Sequence, residues 1–383
     1  MKFLKTFLSA VCILSMAFIS SGCWNYREVE SLAVVSGMAF DKNGGKYSVT
    51  FEIINVTGGR DSKTNTKLVT SEGVTIFDAV RKTIKTAGKK LYFSHAEVII
   101  ISSEVAKAGV IPVMDWVLRD TEPRNTIHIL ISKERSAKEI LKRQPITADI
   151  LSFELNEMIK SEKSLAYAID TEEWQFVEDL AETGISATLP TVDLTMDDNK
   201  LTPEITGTGI FKEDRLVGLL DGEETKTMLF IKDKIKGGLL VKKEYGNNSV
   251  TGVALDIYKN KTKLKPRFSN GKFTIEINTS TDVSLNENGG RENYIDEPAR
   301  TKLKTDFEAM LENNIKNLVK KTQEQYGCDI FGFGKLVKLN MPDLWKQTEH
   351  HWNELYKNVE VDVHSTINIK DSAFQRKPIK TGD

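Results

Sequence analysis

The chain has little cysteine and no excess of either charge. Its 383 residues include only three cysteines, too few for a disulfide framework or a thiolate zinc site. Lys and Arg total 53 against 54 for Asp and Glu, so the formal net charge is −1 and no overall positive field is available to hold nucleic acid. With 40% hydrophobic residues, the sequence predicts two or three globular units with packed cores.

Sequence motifs of the common enzyme classes are also missing. The chain has no Walker loop, dinucleotide-binding glycine triplet, His-Glu-x-x-His or Cys-x-x-Cys. Its five histidines are scattered, and its adjacent carboxylates diverge because consecutive side chains point apart. Ser269-Asn270-Gly271 and Lys380-Thr381-Gly382 match two boxes of penicillin-binding proteins, but the first fits a hairpin turn and the second ends the chain. We therefore expect no catalytic centre, no metal site and no cofactor.

The N-terminus has the pattern of a bacterial lipoprotein signal peptide. An apolar run over residues 7–19 spans about 20 Å as a helix, shorter than the roughly 30 Å hydrocarbon core of a bilayer. Gly22 directly before Cys23 fits a lipobox, with Ser20 where leucine is usual. We predict a signal peptide over residues 1–22 and a covalent diacylglyceryl and N-acyl lipid on Cys23. The alternative is an ordinary secretory signal followed by a free thiol.

The N-terminal half alternates between strand and helix patterns. A hairpin is predicted around Gly44, and a helix between Thr75 and Gly88. Two near-continuous apolar strands on either side of a helical pattern then predict a βαβ unit in a sheet that is buried on both faces. The predicted elements are strands over 96–102 and 126–132 and a helix over 104–119, in an N-terminal α/β domain over residues 23–200 that ends in a loop at 189–201.

The rest of the chain predicts two further units. Short strands and one helix predict a small middle domain over residues 201–245. Residues 246–383 predict a C-terminal α/β domain with a long helix over 298–326. Trp345 and Trp352, seven residues apart on a second predicted helix, form either a core-facing stripe or an exposed contact patch. The fold class is therefore mixed α/β (α+β): three successive domains, each a β-sheet packed with helices, behind an N-terminal lipid anchor.

Short blocks along the whole mature chain resemble one protein family. Gly22-Cys23-Trp24 with Arg27-Glu28 resembles the mature start of the Ger(x)C lipoproteins, which are the C subunits of nutrient-germinant receptors in endospore-forming bacteria. Further blocks are similar to this family in order and spacing: residues 73–79, 91–95, 207–212 and 329–334, followed by Trp345 and Trp352.

The resemblance implies a non-catalytic, lipid-anchored receptor subunit on the outer face of the spore inner membrane, beside an A subunit and a transporter-like B subunit. Direct nutrient binding by this subunit is not expected. Because such a subunit acts through contacts, Trp24 and Arg27 beside the anchor are candidate partner-binding residues, and Trp345 and Trp352 form a second candidate patch. The alternative is a solute-binding lipoprotein of a transporter, with two similar lobes around an aromatic and charged cleft.

Overall fold

The chain forms two β-sheets covered by helices, one of nine strands and one of four. The computed structural model describes residues 3–8, 31–57, 63–245, 250–288, 294 and 296–371. A short helix, α1, covers 3–8. No helix within the described ranges is long and apolar enough to cross a bilayer.

The nine-stranded sheet has a parallel centre between antiparallel hairpins. Its strands are β1 (Leu32–Asn43), β2 (Lys46–Thr57), β3 (Lys63–Gly73), β4 (Lys90–Tyr92), β5 (Val98–Ser102), β6 (His128–Ser132), β7 (Thr188–Asp197), β8 (Lys200–Lys212) and β9 (Arg215–Leu220). The order is β3-β2-β1-β5-β6-β7-β8-β9, and β4 pairs with β1. Strands β5 and β6 are parallel neighbours, so the predicted βαβ unit is confirmed.

Helices cover both faces of this sheet. They are α2 (Ile76–Ala87), α3 (Ser103–Ala108), α4 (Ile111–Arg119), α5 (Lys138–Leu141), α6 (Leu151–Ser161) and α7 (Glu173–Ala181). Along β5, Ile99 and Ile101 pack into the core under α2, α3, α4 and α7, whereas Val98 and Ile100 pack under α5 and α6. This alternation explains why β5 is apolar at every position but its last.

The predicted ends of α2 are confirmed, whereas the helix predicted over 104–119 is divided in two. Helix α2 begins after Thr75, whose hydroxyl accepts the N–H of Asp78 at 3.1 Å, and ends at Gly88 with φ +69°. The single helix predicted over 104–119 is instead two helices, α3 and α4, because Gly109 adopts φ +128° between them.

The four-stranded sheet belongs to the C-terminal part of the chain. Its strands are β10 (Leu239–Tyr245), β11 (Val250–Ser269), β12 (Lys272–Asn288) and β13 (Glu360–Asp371), in that order across the sheet. The helices of this part are α8 (Gly222–Ile231), α9 (Glu297–Lys321), α10 (Phe333–Asn340), α11 (Pro342–Thr348) and α12 (Trp352–Tyr356). The predicted long helix is confirmed as α9, and its buried stripe consists of Leu303, Phe307, Leu311, Ile315, Leu318 and Val319.

The structure has two sheet domains where three units were predicted. The predicted middle domain, residues 201–245, forms no sheet of its own: β8 and β9 extend the nine-stranded sheet, and β10 is an edge of the other. The loop predicted at 189–201 is mostly strand, and its Asp198 and Asn199 form the β7–β8 turn with positive φ. Pro190 is tolerated there because the pairing of β7 with β8 shifts register beside it.

Candidate functional site

The candidate residues at and beside the predicted anchor, Cys23, Trp24 and Arg27, lie outside the described residues. The structure does describe where the chain enters the fold. Strand β1 begins at Leu32, which pairs in parallel with Lys90 at the start of β4. Lys90 follows the C-terminal end of α2 by three residues, so the entry point lies beside α2.

Trp345 and Trp352 lie in the protein core. Their side chains are 3% and 2% exposed, and their ring centroids are 5.5 Å apart. Trp352 also packs edge-on against Phe273 of β12. The exposed contact patch considered for this pair is therefore corrected to the core-facing alternative, because neither indole offers surface to a partner.

Trp352 belongs to a buried hydrogen-bond cluster centred on the carboxylate of Asp329. Its indole Nε1 donates to Asp329 Oδ2 at 3.0 Å, and the backbone N–H of Gly334 donates to the same oxygen at 2.8 Å. The backbone N–H groups of Phe331, Gly332 and Phe333 donate to Oδ1 at 2.9 to 3.2 Å. Five donors thus satisfy one carboxylate and fix the turn that leads into α10.

The same turn joins the two halves of the chain. The backbone N–H of Ser186 donates to the Asp329 carbonyl at 2.7 Å, and that of Lys335 donates to the Gly184 carbonyl at 3.1 Å. A Cβ at Gly334 would lie 2.4 Å from Gly184 Cα, so only glycine permits this approach. Lys335 also pairs with Asp179 at 3.1 Å. We call this set, Gly184, Ser186, Asp329, Gly334 and Trp352, the interdomain junction.

Burial controls the electrostatics of the junction. It raises the pKa of the Asp329 carboxyl, and the surrounding N–H donors oppose that rise. The Lys232 side chain is partly buried beside the junction, and its ammonium donates to the Ile330 carbonyl at 3.0 Å. Desolvation lowers the pKa of Lys232 to about 8. Asp329 lies beside the core residues Ile330, Phe331 and Phe333, and its buried hydrogen bonds together with the backbone bonds of the turn hold the two halves together.

A cavity of about 320 Å³ lies between the two halves, and Lys232 is one of its lining residues. Lysines and acidic side chains such as Asp170 and Asp179 line it together with aliphatic residues and Met228, and no aromatic side chain does so among the described residues. Among all the residues that the structure describes, no group of His, Cys, Asp and Glu has the arrangement of a metal site. The aromatic cleft between similar lobes that a solute-binding protein would present is not seen in the described ranges.

An open groove lies between α2 and α4, at the end of the nine-stranded sheet that carries β2 and β4. It encloses about 740 Å³, and its lining includes Leu91, Phe93 and Trp116 as well as the charged groups Arg81 and Lys90. Phe77 and Ile84 of α2 stand exposed at this groove, although Ile76, Ala79 and Val80 of the same helix are buried. Helical spacing puts Ile84 on the same face as Ile76 and Val80, yet Ile84 is exposed; the signal that marks it is the mixture of apolar and basic residues along this stripe.

Two family models cover nearly all of the chain after the predicted signal peptide. The model of the spore germination protein N-terminal domain matches residues 25–194. That of the spore germination B3/GerAC-like C-terminal domain matches residues 206–373. The two matches meet close to the β7–β8 turn.

Curated relatives from Bacillus subtilis (strain 168) match over similar lengths. Spore germination protein B3 is 25% identical over 91% of this chain and 93% of its own length. Spore germination protein KC is 24% identical over 97% of both chains, and spore germination protein A3 is 21% identical over 94% of this chain and 96% of its own. The crystal structure of the GerBC protein has the same fold, with a TM-score of 0.56 and 20% identity over 87% of this chain and 96% of that one.

Proposed function

The chain belongs to the GerAC-like family of spore germination proteins, and we propose from this premise that it is a non-catalytic, lipid-anchored subunit of a nutrient-germinant receptor. The observation that carries the proposal is the match of both family domains, in order, along one chain. The names of the curated relatives, all spore germination proteins, support it further.

The proposed partners are the A and B membrane subunits of the receptor. The proposed location is the outer face of the spore inner membrane, where the lipid on Cys23 would hold the two sheet domains. Trp24 and Arg27, one and four residues past that cysteine, are the proposed contacts for the membrane subunits, because the anchor would keep them at the bilayer surface. The receptor would then respond to small nutrients through this assembly.

The anchor is tested by replacing its cysteine. Cys23→Ala should abolish labelling with a radioactive fatty acid and move the protein from carbonate-washed membranes to the soluble fraction. Cys12→Ala, which removes a cysteine from within the predicted signal peptide, is the matched control and should leave both readouts unchanged. Labelling or membrane retention that survives in Cys23→Ala would overturn the lipid attachment.

The assembly is tested by affinity purification of the lipidated full chain from spore membranes. The A and B subunits should be recovered with the wild type, and their recovery should fall in the double variant Trp24→Ala, Arg27→Ala. Recovery of a multi-subunit solute transporter in their place would favour the solute-binding alternative.

The absence of nutrient binding by this subunit is tested by thermal denaturation. Millimolar nutrient should produce little shift, because a ligand stabilises by RT ln(1 + [L]/Kd) only where it binds the folded state. A saturable shift of several degrees with one nutrient would again favour a solute-binding protein.

A further inference from the structure

The groove between α2 and α4 is bordered by exposed apolar side chains that belong to no buried core. Val74, Phe77, Ile111 and Leu118 are between 51% and 70% exposed, and Ile84 is 37% exposed. Helix α2 packs against the sheet through its buried residues Ile76, Ala79, Val80 and Thr83. Phe77 and Ile84 are not needed for that packing. We call the surface formed by these five exposed residues together with Arg81 and Lys85 the α2–α4 face.

This face is basic on its α2 side. Five cations occur over residues 81–90, at Arg81, Lys82, Lys85, Lys89 and Lys90, whereas α2 contains a single carboxylate, Asp78. The guanidinium of Arg81 lies 4.9 Å from the ring centroid of Phe77, so charge and apolar surface are combined on one stripe of the helix.

The carboxylates around the groove are already held by local partners. Asp78 pairs with Lys82 at 2.6 Å, Asp115 with Arg119 at 2.8 Å, and Glu122 with Lys90 at 2.5 Å. The Asp120 carboxylate accepts the backbone N–H of Glu122 at 3.1 Å. The acidic groups around the groove are therefore paired, and α2 keeps a net positive charge, with Arg81, Lys82 and Lys85 against Asp78.

The chain geometry places this face close to the proposed anchor. Leu32 is nine residues from Cys23, and nine extended residues reach at most about 30 Å. Leu32 and Ala33 pair with Lys90 and Leu91, which both line the groove. A lipid on Cys23 would thus hold Leu32, whose partner Lys90 lines the groove, within about 30 Å of the bilayer, and in this respect the inference rests on the proposed function.

We propose that the α2–α4 face docks on the anionic phospholipid surface of the membrane. Phe77 and Ile84 insert at the level of the headgroups, and Arg81 and Lys85 pair with lipid phosphates, which is the pattern of an interfacial amphipathic helix. This contact adds a second, reversible attachment to the covalent one and fixes which side of the nine-stranded sheet faces the bilayer.

The test uses the full chain after signal-peptide removal, with Cys23→Ala, so that no lipid contributes to binding. Its probes are vesicles of phosphatidylglycerol and vesicles of phosphatidylcholine. We expect binding to the first and not to the second, and a fall in binding as salt is added. Arg81→Gln with Lys85→Gln should weaken it roughly 25-fold, at about fivefold for each cation.

Two further variants separate insertion from charge. Phe77→Ser with Ile84→Ser should lower binding at least about tenfold with only a small fall in melting temperature, because neither side chain belongs to the buried core. The matched controls lie in the C-terminal domain: Lys259→Gln with Lys263→Gln for charge, and Leu339→Ser for an exposed apolar side chain. Both controls should bind as the parent does.

Three results would overturn the proposal: no binding to phosphatidylglycerol, equal binding to both lipids, or equal losses in the control variants. Intact vesicle binding by the α2–α4 variants, combined with reduced recovery of the A and B subunits, would assign the face to a protein partner instead. Because the vesicle assay needs neither the covalent lipid nor other subunits, its failure is distinguishable from failure of the proposed function.

Discussion

The interdomain junction and the α2–α4 face use similar residue types in opposite ways. Both combine aromatic rings with charged groups. At the junction, Asp329 and Trp352 are buried and satisfy each other. On the α2–α4 face, Phe77 and Arg81 contact each other but both remain exposed. The buried arrangement stabilises the fold, and the exposed one leaves apolar and charged groups free to contact another surface.

The difference indicates where variants of this protein should act. A change at the junction leaves buried donors without an acceptor and should be measured as lost stability. A change on the α2–α4 face, or in the segment beside the proposed anchor, should alter association and leave stability nearly unchanged.

The largest effect is expected for Asp329→Ala. The substitution leaves five buried N–H donors without their acceptor, and we expect a loss of about 3 to 5 kcal/mol in the free energy of unfolding. Denaturant unfolding measures it. Asp343→Ala, at an exposed carboxylate of α11, is the control and should stay within about 0.5 kcal/mol of the wild type. A loss below about 1 kcal/mol at Asp329 would contradict the structural role of the cluster.

A smaller and more specific effect separates the two core tryptophans. Trp352→Phe removes a hydrogen bond to the Asp329 carboxylate, whereas Nε1 of Trp345 is buried without a partner among the described residues. We therefore expect Trp352→Phe to cost about 2 kcal/mol more than Trp345→Phe in the same unfolding assay. Equal costs would show that packing alone, and not the hydrogen bond, makes Trp352 important.

A pH-dependent effect is expected at Lys232. Its pKa in the folded protein is about 8, below the ordinary 10.5, so between these values the unfolded chain binds more protons and stability rises with pH. Between pH 7 and pH 9 the wild type should gain about 1 kcal/mol relative to Lys232→Met. The exposed Lys259→Met is the control and should keep the wild-type pH slope, because this lysine is not among the charges that shift the pKa of Lys232. The same slope in Lys232→Met would contradict the lowered pKa.

No stability change is expected for Trp24→Ala with Arg27→Ala. Both residues lie outside the described part of the chain, and their proposed role is contact with the membrane subunits. The melting temperature should stay that of the wild type while receptor levels in spores fall. Normal receptor levels and normal germination in this double variant would remove the pair as a partner surface.

Much of the fold follows from sequence periodicity. Continuous apolar runs predicted β5 and β6, and the regular apolar stripe of α9 predicted a helix buried along one side. The division into domains was not predictable in the same way. Strand β8 begins at Lys200, where the sequence reads as a domain boundary, and only its pairing with β7 assigns it to the first sheet. Long-range pairing of this kind has no local signature.

The functional surfaces were harder to predict than the fold. The block around Asp329 was visible in the sequence as part of a family pattern, but its five donors come together only in the folded chain. Phe77 and Ile84 follow helical spacing and so resemble core residues. Their exposure depends on how α2 is rotated against the sheet, which its four buried residues Ile76, Ala79, Val80 and Thr83 determine.

Germination of spores that lack this chain tests the central claim most directly. The loss of absorbance of a spore suspension after nutrient addition should be abolished in the deletion strain, for the nutrient that its receptor detects. It should be restored by the wild-type chain and by Cys12→Ala, and restored poorly by Cys23→Ala. A normal response to every nutrient in the deletion strain, provided that it carries no second copy of the receptor, would contradict the assignment as a receptor subunit.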